Sequence, residues 1–203
     1  MTDKEKTSVM LEVVQTYFGN TERNTIIFPE LRLGSGYGGI SERRVDCFTI
    51  SPNKGHITTA FEIKASRGDF LKDIRNGIKQ RGARMYSNYF YYVAPIGMIK
   101  EEEIPVWAGL VEIDIEKAQE CLKKSWIKRD THRVGEAMRF PIPAPYFEKT
   151  NPTWGLVCAI IRKYQACNSL VAKKEFVQAS ESGMFLDRYN IDELLKESSC
   201  NNS

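Results

Sequence analysis

The sequence predicts an α/β domain built around a central mixed sheet. Apolar residues recur at helical spacing over residues 4–18, two strand-like segments flank turn residues at 51–56, and a helical segment then separates two further strands. A tight turn makes its two strands antiparallel, whereas a strand–helix–strand crossover makes them parallel. The sheet should therefore contain both arrangements.

The elements of this core follow one another in the order α-β-β-β-α-β-β. The first helix is expected to stop at Gly19 and Asn20. Pro29 in the first strand indicates an edge position or a bulge, because proline has no N–H to donate to a ladder. The predicted elements are helix 4–18, strand 25–33, strands 44–50 and 57–65, helix 66–81, strand 89–94 and strand 109–114.

The regular pattern of the core weakens after residue 114. We therefore expect a core over residues 1–115 and a C-terminal extension over 116–203, mainly helical and packed on the core. Residues 115–129 and 153–168 are predicted helices. Between them, the Pro-rich segment 140–152 is expected to be a connector without regular structure, because proline breaks both helices and ladders.

Composition and charge exclude several classes of protein. The 29 Lys and Arg against 26 Asp and Glu leave a net charge of only +3, so binding to a polyanion would need a local basic patch. The chain lacks the run of about 18 apolar residues that spans a bilayer, so we expect no membrane partner. Five scattered cysteines and two distant histidines argue against a zinc site and indicate reduced thiols in the cytoplasm.

The candidate catalytic residues, Asp46, Glu62 and Lys64, lie in or next to the predicted hairpin. Residues two apart on a strand share a face, so Glu62 and Lys64 should project together while Phe61 and Ile63 enter the core. We expect the charged pair to face a cleft or solvent. An exposed Glu–Lys ion pair of this kind also occurs in proteins that are purely structural.

The register of the hairpin decides whether Asp46 joins the pair. A turn centred near residues 53–54 gives partners whose numbers sum to 107 or 108, and the sum of 108 places Asp46 beside Glu62. Two adjacent carboxylates repel each other unless a cation lies between them. Such oxygen ligands suit Mg²⁺ or Mn²⁺, and a lysine beside the metal could stabilise a phosphate or help deprotonate a metal-bound water.

With these residues on the second and third strands of an αβββαβ core, the sequence resembles the PD-(D/E)XK nuclease superfamily and, within it, the MmcB-like DNA-repair group. The resemblance covers roughly residues 25–115. The matching stretches are Arg43-Arg-Val-Asp46, Phe61-Glu-Ile-Lys-Ala-Ser-Arg-Gly-Asp-Phe70, Tyr91-Tyr-Val-Ala-Pro95 with Gly97-Met-Ile99, and Glu103-Ile-Pro-Val-Trp-Ala-Gly-Leu110.

The resemblance implies a restriction-endonuclease-like core that cleaves DNA phosphodiester bonds with Mg²⁺ or Mn²⁺, as an endonuclease rather than an exonuclease, in DNA repair or phage-type DNA processing. Asp46 and Glu62 would be metal ligands, with the backbone carbonyl of Ile63 as a third. Lys64 would contact the attacking water or the scissile phosphate. The family often adds an upstream acidic ligand, for which Glu30 is preferred to Glu12.

A basic segment follows the proposed catalytic residues. Residues 64–84 carry seven basic and two acidic side chains, and the basic ones suit sequence-independent contacts with phosphates. The predicted DNA-binding residues are Arg67, Lys72, Arg75, Lys79 and Arg84. The alternative is a non-catalytic nucleic-acid-binding module on the same scaffold, which would not need the acidic pair. The substrate is single-stranded, duplex or branched DNA, and the sequence is compatible with a homodimer.

Overall fold

A six-stranded mixed sheet forms the centre of the computed structural model, which describes residues 1–21, 25–34, 44–76, 79–123 and 131–165. The strands are β1 (Ile26–Arg32), β2 (Arg44–Ser51), β3 (Ile57–Ile63), β4 (Tyr89–Pro95), β5 (Gly109–Ile113) and β6 (Met138–Ile142). The helices are α1 (Asp3–Thr21), α2 (Arg67–Arg75), α3 (Arg81–Tyr86), α4 (Ile115–Leu122), α5 (Thr131–Glu136) and α6 (residues 154–165).

The strands lie in the sheet in the same order as in the chain, with β1 and β6 at the edges. The β3–β4 and β4–β5 pairs are parallel and the other three pairs are antiparallel, which confirms the predicted mixed sheet, hairpin and crossover. In the hairpin, Cys47 pairs with Phe61 and Phe48 with Ala60. This is the register that brings Asp46 next to Glu62, one step beyond the last pair.

The two faces of the sheet are covered by different helices. On one face, α1 packs Met10 and Val13 against Phe61 and Ile63 of β3, together with residues of α4 and α5. On the other face, Phe70 of α2 and residues of α3 join the aromatic side chains of β4. The predicted alternation along β3 is confirmed, because Phe61 and Ile63 enter the first core while Ala60 enters the second.

The predicted helix 66–81 is in fact two helices, and this prediction was wrong. Helix α2 begins after Ser66, whose side chain accepts a hydrogen bond from the Asp69 N–H, and it ends at Arg75. Helix α3 begins only at Arg81. Between them Lys79 and Gln80 turn inward and donate to the carboxylate of Asp73, which a continuous helix would not allow. The first helix also runs past Gly19 to Thr21.

Strand β6 corrects the expectation that the Pro-rich segment lacks regular structure. Met138–Ile142 pairs antiparallel with β5, although it contains Pro141. Proline is tolerated there because β6 is an edge strand, and the register shifts between Leu110 and Glu112. An ion pair between the buried Glu112 and the exposed Arg139 (Oε2 to Nε, 2.8 Å) connects the two strands.

The first compact unit spans Met1–Ile161, which extends past residue 115, where the sequence predicts the core to end. The second unit comprises residues 162–203, of which the structure describes only 162–165. The predicted helical residues 124–129 and 166–168 lie outside the described residues. In the described part of the chain, no helix combines the length and apolarity needed to cross a bilayer.

Gly109 provides a test of how the segment after β6 packs on β5. A Cβ at this position would lie 2.5 Å from the backbone nitrogen of Ala144 and 2.5 Å from the Tyr91 ring. We expect Gly109→Ala to lower the free energy of unfolding by about 1–3 kcal/mol, because backbone must move to accommodate the methyl group. Gly68→Ala in α2 is the control, since a Cβ there meets nothing within 4 Å. Chemical denaturation measures both; equal effects would contradict the packing described.

Candidate active site

Asp46 and Glu62 meet where the β2–β3 ladder ends. Asp46 is near the start of β2, Glu62 is the penultimate residue of β3, and both lie on the sheet face covered by α2 and α3. The backbone N–H of Ile63 donates a hydrogen bond of 2.8 Å to Asp46 Oδ2. This bond ties the Asp46 carboxylate to β3 and fixes it beside Glu62.

Lys64 is a fully enclosed charged group, with only 2% of its side chain exposed. Its Nζ donates to Glu62 Oε1 at 3.0 Å, and it lies 3.3 Å from Asp73 Oδ2 and 3.5 Å from Asp69 Oδ2. Its backbone N–H continues the sheet by donating to the Val93 carbonyl at 2.8 Å. The ammonium group is therefore held by one carboxylate from β3 and two from α2.

Asp73 is a second centre of the same network and is itself buried. Lys79 Nζ donates to Asp73 Oδ1 at 2.6 Å and also lies 3.6 Å from Glu62 Oε1. The side-chain amide of Gln80 donates to Asp73 Oδ2. Lys79 and Gln80, which directly precede α3, thus supply two donors to Asp73, and Lys79 links the Asp73 and Glu62 carboxylates.

The electrostatics of the two strand carboxylates differ from those of Asp73. Desolvation raises the pKa of Asp46 above its usual value, although the Ile63 N–H and the Lys64 charge oppose the shift. Desolvation and repulsion from Asp46 raise the pKa of Glu62 to about 7, against the opposing effect of Lys64. Burial of both carboxylates, and at Glu62 the repulsion from Asp46, thus outweigh the nearby positive charge of Lys64, and a divalent cation would relieve this condition.

The pKa values of Asp73 and Lys64 move in the directions expected of well-paired ions. Burial by itself would raise the pKa of Asp73, but hydrogen bonds from Lys79 and Gln80 and the charge of Lys64 lower it below its usual value. Burial would lower the pKa of Lys64, but the carboxylates around it raise that pKa. Both groups therefore stay charged at neutral pH.

The expectation that Glu62 and Lys64 face an open cleft or solvent was wrong. Both residues are buried, under α2 and the segment of Lys79 and Gln80. The exposed members of the network are Asp69 and Lys79, whose side chains are 56% and 47% exposed. A polar molecule would reach the Lys64 ammonium group most directly from the Asp69 side, because Asp69 lies 3.5 Å from that group.

The site supplies two candidate metal ligands from strands rather than three or more. Across the described residues, no group of three or more His, Cys, Asp or Glu side chains has the spacing to hold a metal ion. Glu30 is exposed and forms an ion pair with Arg44 at 3.4 Å, so it does not join Asp46 and Glu62. Glu12 belongs to α1, which packs on the opposite face of the sheet.

The donor chemistry nevertheless fits Mg²⁺ or Mn²⁺. These ions take one or two protein carboxylates and keep several waters, so they do not require a three-acid cluster. Asp46 and Glu62 are neighbouring carboxylates whose pKa values are raised, and a cation between them would offset both their desolvation and their repulsion. The Ile63 N–H already donates to Asp46 Oδ2, so Oδ1 is the oxygen that Asp46 would offer to an ion.

The five residues predicted to contact DNA have different surroundings. Lys72 and Arg75 are exposed on α2, as expected for phosphate contacts. Lys79 instead points into the carboxylate network. Arg67 forms a bidentate ion pair with Glu103 (2.8 and 2.5 Å), and this pair connects α2 to the turn after β4. The guanidinium group of Arg84 lies 4.0 Å from the centre of the Trp107 ring.

Sequence reasoning missed the roles of Asp69, Asp73 and Tyr92. Asp69 and Asp73 are four residues apart on α2 and therefore lie on one helix face, and this spacing was the available signal. The Tyr92 hydroxyl lies beneath the network, where burial and the Asp73 and Glu62 carboxylates raise its pKa. No local pattern marks Tyr92, since it belongs to a wholly apolar strand in the sequence.

Comparisons with known proteins identify no family for this chain. No protein-family model and no curated protein matches the sequence. Among solved structures, the chain is similar to the SPO1766 protein of Silicibacter pomeroyi, a protein of unknown function. The TM-score is 0.48 at 14% sequence identity, and the alignment covers 94% of this chain and 99% of that one.

Asp73 and Asp69 form a matched pair for testing the network, because both approach Lys64 but only Asp73 is buried. We expect Asp73→Asn to lower the free energy of unfolding by about 2 kcal/mol at neutral pH, because charge-assisted hydrogen bonds from Lys79 and Gln80 are lost. Asp69→Asn should cost less than about 0.5 kcal/mol, because this carboxylate is exposed.

The same pair has a pH signature. The folded-state pKa of Asp73 lies below its ordinary value of 3.8, so its contribution to stability is present above that value and is lost as the pH falls through the folded pKa. The stability difference between wild type and Asp73→Asn should therefore shrink on acidification. Urea denaturation across this range measures it, and a difference independent of pH would contradict the network.

Proposed function

We propose that this chain is a metal-dependent nuclease that hydrolyses DNA phosphodiester bonds on a restriction-endonuclease-like core of the PD-(D/E)XK type. The observation that carries the proposal is the convergence of Asp46, Glu62 and Lys64 at one end of the β2–β3 hairpin. The two carboxylates have raised pKa values and the lysine is fully charged beside them. A purely structural ion pair has no need of the second carboxylate.

Asp46 and Glu62 would hold the Mg²⁺ or Mn²⁺ ion, with the Ile63 carbonyl as the proposed third ligand. When bound, the ion would act as a Lewis acid on a phosphate oxygen and would lower the pKa of a coordinated water. The chain's own contribution is to fix the ligands. The Ile63 N–H orients Asp46, and the sheet register sets the separation of the two carboxylates.

Lys64 would stabilise the negative charge that builds up on the phosphate, and would orient the attacking water. Glu62 and Asp73 already hold its ammonium group in place, so the side chain would not have to change conformation when substrate binds. The long contact to the exposed Asp69, at 3.5 Å, is the one that a phosphate oxygen would most easily replace. Asp69 thus lies at the proposed entrance for the phosphate.

The remaining DNA contacts would come from α2. Lys72 and Arg75 are exposed on the same helix that supplies Asp69 and Asp73, so their positive charges flank the proposed entrance. Contacts of this kind hold the phosphate backbone without reading sequence, and their contribution falls as salt rises. DNA repair or phage-type DNA processing would use such sequence-independent binding.

One observation favours a second candidate, the non-catalytic nucleic-acid-binding module. Glu62 Oε1 lies 3.0 Å from Lys64 Nζ and 3.6 Å from Lys79 Nζ, so two ammonium groups already partly neutralise the site without a metal. In such a module the carboxylates would stabilise the fold by forming ion pairs with Lys64 and Lys79 under a basic helix. Metal binding separates the candidates, because the module would bind DNA equally in EDTA and in Mn²⁺.

A cleavage assay tests the nuclease directly. We expect cleavage of single-stranded, duplex or branched DNA in Mn²⁺ but not in EDTA. Asp46→Asn and Glu62→Gln should lower the rate by about 100-fold or more, since a metal ion contributes several kcal/mol to such a reaction. The matched control is Glu30→Gln, because Glu30 lies outside the site in an exposed ion pair. DNA binding without cleavage under every condition would favour the module instead.

The pH dependence of metal binding follows from Glu62, whose pKa is about 7 in the metal-free protein. Below this pH the carboxyl group is largely protonated and must lose its proton to bind an ion, so affinity should increase with pH. We expect the Mn²⁺ affinity to rise roughly tenfold between pH 6 and pH 8, with proton release on binding. Isothermal titration calorimetry measures both quantities, and a flat affinity would contradict the assignment of Glu62 as a ligand.

A further inference from the structure

A cavity of about 370 Å³ lies beside α3, outside the Asp46–Glu62 pair. We call it the α3 cavity. Its volume falls within the range of about 300–1,000 Å³ typical of small-molecule sites. The residues that line it and bear on its chemistry are Arg81, Arg84, Asn88, Phe90, Trp107, Phe147 and Glu148. The Glu148 carboxylate accepts a hydrogen bond from the Tyr146 hydroxyl at 3.4 Å rather than forming an ion pair with either arginine.

The outer wall of the α3 cavity is fixed by hydrogen bonds. Phe147 N–H donates to the Asn88 carbonyl at 2.9 Å, and the Asn88 side-chain amide donates back to the Phe147 carbonyl at 3.0 Å. Further along, the Thr150 N–H donates to the Met85 carbonyl at 2.8 Å. The segment that follows β6 is thus anchored to both ends of the α3–β4 connection, so the cavity is preformed.

Two arginines bring positive charge to the α3 cavity. Arg84 is half-buried over the Trp107 ring, and Arg81 is exposed at the mouth. No carboxylate among the described residues forms an ion pair with either guanidinium group, in contrast to Arg67 and Arg139, which are both paired. Burial lowers the pKa of Arg84, which indicates a partly desolvated cation without a compensating anion. A bound anion would supply the partner that neither guanidinium group has among the described residues.

The rest of the lining is aromatic. Phe90 and Trp107 pack edge to face with ring centres 5.3 Å apart, and the Phe147 ring remains 44% exposed. An exposed ring next to unpaired guanidinium groups matches a ligand that has both a flat apolar ring and a phosphate. Aromatic rings stack on any base, and arginine binds phosphate through two parallel hydrogen bonds.

Helix α3 connects the α3 cavity to the candidate active site. Gln80, which donates to Asp73, immediately precedes Arg81, and Arg84 lies one turn further on. Tyr92 lies between the two sites. The charges of Asp73 and Glu62 raise the pKa of its hydroxyl, and the charge of Arg84 opposes that shift. The two sites thus share α3 and the Tyr92 side chain, an arrangement that suits contacts with neighbouring nucleotides of one strand.

We propose that the α3 cavity binds one unpaired nucleotide of the DNA strand, with its phosphate on Arg81 and Arg84 and its base against Phe147. A base in this position cannot be paired in a duplex, so the substrate class is single-stranded, frayed or branched DNA. The proposal rests on the nuclease function for the identity of the strand, but nucleotide binding itself requires neither cleavage nor metal.

The test is calorimetric titration of the full chain in EDTA with 2′-deoxyadenosine 5′-monophosphate. EDTA removes any metal through which the phosphate could bind at Asp46 and Glu62. We expect binding by the wild type, at least tenfold weaker binding by Arg84→Gln and by Arg81→Gln, and unchanged binding by Arg32→Gln. Arg32 is exposed at the end of β1 and does not line the cavity. Arg81→Gln, at an exposed position, covers the case in which Arg84→Gln fails to fold.

Two further ligands separate the parts of the proposal. Deoxyadenosine and inorganic phosphate should each bind at least tenfold more weakly than the nucleotide, because each lacks one half of the recognised chemistry. Equal binding of phosphate and nucleotide would overturn base recognition, and unchanged affinity in both cavity variants would overturn the site. Nucleotide binding by a chain that never cleaves DNA supports the cavity and refutes the nuclease, whereas metal-dependent cleavage without nucleotide binding does the reverse.

Discussion

The buried ammonium group of Lys64 is the constraint around which the neighbouring elements are arranged. Burying an unpaired charge costs several kcal/mol, so Lys64 can remain inside only if carboxylates surround it. Glu62 comes from β3, and Asp69 and Asp73 come from one face of α2. Helix α2 ends at Arg75, and Lys79 and Gln80 complete the hydrogen bonds of Asp73. The residues proposed to act in catalysis thus also form the ion pairs that stabilise the buried charge.

Structural features that follow from patterns repeating over a few residues could be predicted from the sequence. The two-residue period of β3 correctly assigned Phe61 and Ile63 to one core. The turn at 51–56 left two registers open, and the structure has the one that brings Asp46 beside Glu62. Both results follow from local geometry, because strand pleat and turn length leave few alternatives. The mixed sheet followed in turn, since a hairpin and a crossover specify opposite strand directions.

Contacts between distant parts of the chain were not predictable from such patterns. The inward turn of Lys79 and Gln80 depends on a buried Asp73, and a helical period cannot show whether a carboxylate is buried. Strand β6 forms only because β5 offers it a free edge, which overrides the low strand propensity of Pro141. For the same reason the enclosure of Lys64 was missed, since it is produced by α2 folding back over the sheet.

Two of the three prolines in the sheet lie on its edge strands, Pro29 in β1 and Pro141 in β6, and the third, Pro95, is the last residue of β4. On β1 the next residue, Glu30, has a positive φ of 50°, and next to β6 the ladder shifts register. Such interruptions block the regular hydrogen bonding that would let another chain add a strand, and they protect the sheet against edge-to-edge aggregation. A homodimer of this chain would consequently form through its helical faces or loops rather than through a continuous intermolecular sheet.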